Sequence, residues 1–217
     1  MKSGDSSSHP FLARVIANKE LKYEDGCLSL MGSPGCLLAL NTLAATQEAL
    51  RREFGASGAS VFYHMLGYQA GNAAKLMRNR FGFPVEQAMK LQADHLAMIG
   101  AGSFSFVRTD FKANMFVLRG ESNFAREYAK VFGVQKDAVD WMIKGGVVYL
   151  LNEYLDRTDF VCVETSCVAK GNKYCEFVAR PKKSFSKAEL KGQEADKLKM
   201  DLVALIAKNA LGMPKRR

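Results

Sequence analysis

The chain has 217 residues, 48% of them hydrophobic, and a formal net charge of +9. That is enough apolar material to bury a core without disulfides or metals, and no apolar run approaches the roughly 18 residues of a membrane span. Between Lys182 and Arg217 ten basic residues stand against four acidic ones. Most of the positive surplus therefore belongs to the C-terminal tail, and no helix-turn-helix or zinc-finger spacing points to nucleic acid.

Residues 1–18 read as a polar, serine-rich leader without the basic start and apolar stretch of a signal peptide. The five cysteines are irregularly spaced, unlike a secreted disulfide framework, so the protein is expected in the cytoplasm. Residues 19–181 are expected to form the folded domain, and 182–217 a basic helix and tail. The Asp25-Gly26 step between Glu20–Tyr23 and Cys27–Met31 predicts a hairpin, after which Ser33-Pro34-Gly35 is expected to break the chain. Helices follow over Leu37–Phe54, about Ala59–Asn79, and from Pro84 to about Ile99. In the second of these, Gly67, Ala70, Gly71 and Ala74 recur at three- and four-residue steps, which predicts a close approach by another element.

The period then changes. Ser103–Arg108 and Ala113–Leu118 read as strands, with Gly120 ending the second. Ser122 is a good N-cap for a helix through Phe132, stopped by Gly133. A further helix is expected from Lys136 or Asp137 to about Leu155, then strands at Phe160–Cys167 and Lys173–Ala179, then a lysine-rich helix over Ser186–Leu211. Helices, strands, helices and a final hairpin, without regular alternation, predict an α+β fold with helices packed on an antiparallel sheet.

Chemistry concentrates between Phe160 and Phe177. A hairpin centred on Gly171 sets Cys167 and Cys175 opposite each other, close enough for both sulfurs to reach one ion. Zinc suits two thiolates with a carboxylate, and Glu164 is the nearest carboxylate. Glu164 and Cys167 are three apart, however, and an ideal strand points them to opposite faces, so this reading requires a bulge near Thr165 or Ser166, or a metal at the strand end. Cys162 shares a face with Glu164 and is either a fourth ligand or a core residue. The spacing alone fits a zinc pair, two buried thiols or a disulfide.

The run from Val163 through Cys167-Val168-Ala169-Lys170-Gly171 to Cys175-Glu176-Phe177 resembles the closing hairpin of the 4-vinyl reductase domain. Asp140-Trp141-Met142 with Gly145 resembles that family's upstream helix start. Leu50–Gly55 and Leu66–Gly71 are similar to the sensory domain of aromatic-responsive transcriptional activators. The resemblance covers about Glu20 to Pro181. It implies a ligand-binding fold shared with Golgi transport-particle subunits, a homodimer, and a small hydrophobic or aromatic ligand enclosed beside a structural zinc. It carries the zinc ligands over to Glu164, Cys167 and Cys175, with Asp140 where the family has a cysteine. Phenol sensors place a histidine near the position of His95. They also place a tryptophan where this chain reads Leu118-Arg119-Gly120.

Methionine adapts to varied apolar shapes. Met65, Met77, Met89, Met98, Met115 and Met142, with Phe62, Tyr68, Phe104, Phe106, Phe116 and Trp141, would line a plastic cavity. The ligand contacts expected from this set and the resemblance are His95, Phe106, Phe116, Trp141, Met98 and Tyr68. His64 has no evident role. No GxSxG, HExxH or phosphate-binding loop is present, and Gly100-Ala101-Gly102 precedes a strand, the wrong order for a dinucleotide site. The expectation is a binding or sensing module, not an enzyme. The alternatives are an accessory protein of tetrapyrrole vinyl-group reduction and a transport-particle-like scaffold. The stripe Leu198, Leu202, Leu205 and Ile206 on the last helix serves either self-packing or a protein partner.

Overall fold

The computed structural model describes residues 21–24, 26–30, 33–35 and 37–195. The leader and most of the predicted C-terminal helix, with its leucine stripe, lie outside this set. The N-terminal hairpin forms as expected from β1 (Leu21–Glu24) and β2 (Cys27–Leu30). Ser33–Gly35, expected to be a break, pairs with β2 as a third strand, β3.

Three helices follow: α1 (Leu40–Phe54), α2 (Ala56–Phe81) and α3 (Val85–Met98). Then come β4 (Gly102–Asp110), β5 (Met115–Ser122), α4 (Asn123–Phe132), α5 (Trp141–Tyr154), β6 (Phe160–Ser166) and β7 (Cys175–Pro181). The last four strands make one antiparallel sheet in the order β4-β5-β7-β6. This is the α+β architecture read from the sequence. Among the described residues no helix is long and apolar enough to cross a membrane.

The sheet turns Phe104, Phe116, Leu118, Phe160 and Phe177 inward, all nearly or fully buried. Each such side chain contributes roughly 1.5–3 kcal/mol by leaving water. Three expectations fail here, and a fourth is described over only part of its length. Gly120 does not end β5, because it sits inside the strand pair, where a Cβ would stand 2.0 Å from the Ser103 carbonyl oxygen. Only glycine allows that approach. The helix expected from Lys136 begins at Trp141, since residues 133–140 run as a connection into the core. Of the helix expected over Ser186–Leu211, the described part holds a single turn, Lys187–Leu190, opened by a Ser186–Glu189 capping box and followed by Gly192 with φ +71°, while residues 196–211 lie outside the described residues. Met65, expected to face the core, is exposed.

Helix α5 is buried on almost every side, as its apolar run requires. It packs tightly on α2 through the small residues. A Cβ on Gly67 would meet the Tyr149 ring at 2.5 Å, and one on Gly145 would stand 1.9 Å from the Tyr63 carbonyl oxygen. Helix α1 joins this frame through Gln47, whose amide donates to the Val139 carbonyl at 2.9 Å, and through buried Glu48. Glu48 accepts from Arg51 and Arg52 at 2.7 Å and from the Tyr128 hydroxyl of α4.

Two predictions follow from this packing. Gly145→Ala puts a methyl group into backbone that has no rotamer to yield, so thermal denaturation should show a loss of roughly 2–3 kcal/mol. Arg51 chiefly, then Tyr128 and Arg52, hold the Glu48 carboxyl down at about 2 from an ordinary 4.5, against the opposing effect of burial. A depressed folded-state pKa contributes stability above the unfolded value, and that contribution fades as pH falls towards the folded one. Glu48→Gln should therefore cost on the order of 2 kcal/mol at neutral pH. Melting curves of variant and parent should converge between about pH 4.5 and pH 2.

Candidate functional site

The bulge that the zinc reading requires is present. Glu164 pairs with Phe177 and Ser166 with Glu176, so Thr165 is an extra residue and the strand phase flips after it. Glu164 and Cys167 thereby come to one side. The strand ends there, and Cys167 and Cys175 are not ladder partners as expected: Cys175 pairs with Gly120 of β5. A 3-10 turn, Val168–Lys170, closes at Gly171 with φ +87° and brings the two cysteines together. The Asn172 side chain accepts from the Cys167 amide at 3.1 Å, and the Val168 amide donates to the Cys175 sulfur at 3.3 Å. From the other side comes Asp140, the residue before α5. It caps no helix N–H with its side chain and instead turns that side chain inward.

Asp140, Glu164, Cys167 and Cys175 are all buried, and one donor atom of each lies within 4.8 Å of the others. All three cysteines of the sheet region, Cys162, Cys167 and Cys175, are free thiols. Asp140 Oδ1 accepts from the Ser122 hydroxyl at 2.9 Å, and Glu164 Oε2 from the Asp140 amide at 3.1 Å. The second oxygens, Asp140 Oδ2 and Glu164 Oε1, are buried without a hydrogen-bond partner among the described residues.

The electrostatics follow from crowding four acids in a dry space. Burial, then the charge of Cys167, pushes Asp140 up to about 7. Glu164 rises well above the carboxylate range by burial and by its neighbour Asp140. The Cys175 S–H donating to Cys167 draws Cys167 down to about 6 and holds Cys175 up. Lys144, one turn beyond Asp140, is fully buried. Burial lowers its ammonium to about 8, while Glu164, Cys162, Asp140 and Cys167 pull the other way. It does not occupy the donor atoms. Its Nζ donates to the carbonyl and the side-chain oxygen of Gln193, both at 3.2 Å, and sits 3.5 Å over the Trp141 ring. Two sulfurs and two unpartnered carboxylate oxygens aimed at one point suit a divalent ion. The paired thiols favour zinc over calcium or magnesium.

The six expected ligand contacts are spread over several elements. Phe116 is core, edge-on to Phe111 at 5.2 Å, and Trp141 lies under Lys144. His95, on the last turn of α3, is partly buried, and loss of water lowers its pKa. Phe106, Met98 and Tyr68 are also partly buried. A cavity of about 330 Å³ opens elsewhere, between α2, α5 and β6, and none of the six lines it. Its walls include Tyr63, His64, Val148, Tyr149, Cys162 and Gln193. His64 Nδ1 and the Tyr149 hydroxyl share a hydrogen bond of 2.8 Å.

Sequence reasoning read Ser122 as an N-cap but missed its bond to Asp140, and it missed Lys144, Gln193 and the His64–Tyr149 pair. Lys144 left a signal, a single cation inside the apolar run from Trp141 to Leu151. The His64–Tyr149 pair joins residues 85 apart and leaves no local pattern.

No family model matches the chain, and no curated protein matches it. Among solved structures it is similar to the phenol-responsive sensory domain of the transcription activator PoxR, crystallised with phenol. The TM-score is 0.72 at 19% identity, covering 89% of this chain and 100% of that one. The two share a fold. A trafficking protein particle complex subunit 3 from Naegleria fowleri, covalently bound to palmitic acid, matches at a TM-score of 0.43 and 13% identity, over 65% of this chain and 94% of that one. That similarity is too weak to establish a common fold.

Removing Lys144 should be costly, because it strands buried acids without a counter-charge. Lys144→Met is expected to lose on the order of 3 kcal/mol. Adding Glu164→Gln should recover part of the loss, and a double-mutant cycle by chemical denaturation measures that coupling.

Proposed function

We propose that this chain is a small-molecule-sensing module rather than an enzyme, with a closing hairpin braced by zinc at Asp140, Glu164, Cys167 and Cys175. The observation that carries this reading is the convergence of those four donors, two with oxygens that no described residue satisfies. The hairpin's resemblance to the 4-vinyl reductase domain supports Glu164, Cys167 and Cys175 as ligands, with Asp140 standing where the family has a cysteine. The fold shared with a phenol-responsive sensory domain supports the sensing role and a small apolar or aromatic ligand. Zinc would supply a divalent charge that binds thiolates and carboxylates together. The chain's part is to hold them in place: the Thr165 bulge aims Glu164, the turn at Gly171 aims both cysteines, and Ser122 fixes Asp140. Output passes through a homodimer or a protein partner, with the segment after β7 as the relay.

Elemental analysis of purified protein should find about one zinc per chain. Cys167→Ser should lose most of it, and chelation should lower the melting temperature of the parent but not of the variant. Full zinc content in Cys167→Ser overturns the ligand assignment. Native mass spectrometry of protein purified from its source should detect a bound small apolar molecule.

A further inference from the structure

The cavity between α2, α5 and β6 has a chemistry of its own. One wall is aromatic: Tyr63 is nearly buried, and its ring meets His64 and Tyr149 edge-on at 5.1 and 6.3 Å. Val148 and Phe160 supply apolar surface. At about 330 Å³ the space lies at the lower end of small-molecule sites, which fits one or two rings and not a long chain.

Its polar groups are mainly donors. Asn152 Oδ1 accepts the Phe160 amide at 3.4 Å, which leaves the Asn152 amide nitrogen as the group to offer. Gln193 Oε1 accepts from Lys144 at 3.2 Å and from the Glu164 amide at 3.4 Å, which leaves its nitrogen likewise. Neither nitrogen has a hydrogen bond to another described residue. The charged side chains on the lining, Lys182 and Glu194, form an ion pair with each other. Burial holds the Tyr63 and Tyr149 phenols in their neutral form by raising both.

A site with aromatic walls, amide donors and no net charge selects against ions, because an ion would lose its hydration without a partner. We infer that this cavity binds a neutral one- or two-ring compound carrying an oxygen acceptor, with Asn152 and Gln193 as the donors that orient it. The inference rests on the small-molecule reading above and adds the place and chemical class of the ligand.

The probe is acetophenone, with benzoate as an anion of similar size, titrated into the full chain by calorimetry. Asn152→Asp keeps the acceptor for the Phe160 amide and removes the donor. Thr158→Trp adds bulk at an exposed position on the cavity wall. Melting temperatures report whether each variant folds. Acetophenone is expected to bind at least tenfold more tightly than benzoate, and each variant is expected to weaken it at least tenfold while remaining folded. If His95→Ala abolishes binding and Asn152→Asp does not, the cavity is wrong although the small-molecule reading stands. If a long-chain lipid co-purifies and acetophenone does not bind, the chemical class is wrong. If nothing co-purifies and neither probe binds, both readings fall.

Discussion

Four acids drawn into one dry pocket are the constraint around which the second half of this chain is arranged. Two carboxylates and two thiols within 4.8 Å of one another repel when ionised and are poorly solvated in any state. Each nearby feature answers that problem. Ser122 donates to one carboxylate and the Asp140 amide to the other. Lys144 brings a positive charge on the next turn of α5. The remaining oxygens and sulfurs face one another and suit a divalent cation better than any protein donor.

The same cluster ties together elements distant in sequence. Ser122 bonds Asp140 and also accepts the Ala125 amide at 3.0 Å as the N-cap of α4, so one hydroxyl couples helix start and site. Asp140 opens α5, whose glycines seat it against α2. Glu164 and Cys167 stand on either side of the bulge in the edge strand β6. The hairpin is thereby tied to α5 through the Asp140 amide on Glu164, and α5 to α2 through the Gly145–Tyr63 contact.

Much of this was legible in the sequence, for reasons that can be named. Glu164, Cys167 and Cys175 stood out because thiols and acids in a short hairpin are rare without a task, whereas Asp140, 24 residues before Glu164, came only from the resemblance at the helix start. The need for a bulge followed from strand geometry alone, because a spacing of three contradicts a period of two. The α2 stripe of small residues announced a close helix contact. What was not legible was of another kind. Gly120 reads as a terminator, and only the neighbouring backbone of Ser103 shows that it is a strand residue under a close approach. The ligand contacts were chosen by side-chain type, and aromatic residues such as Phe116 and Trp141 serve the core as readily as a cavity. The cavity's own residues come from α2, α5, β6 and the segment after β7, so no local window contains them.

Gln193 joins the two halves of the proposed function. Its side-chain oxygen accepts from Lys144 and from the Glu164 amide, while the residue also lines the cavity. Lys144 in turn balances the acids around the proposed metal. The edge strand β6 leaves its Glu164 amide unpaired by any other strand, and Gln193 satisfies it there, so the segment after β7 is held where strand, lysine and cavity meet. A molecule that engages the Gln193 amide acts on a residue already committed to the four-acid cluster. In the proposed function, metal and ligand would be linked through this one side chain.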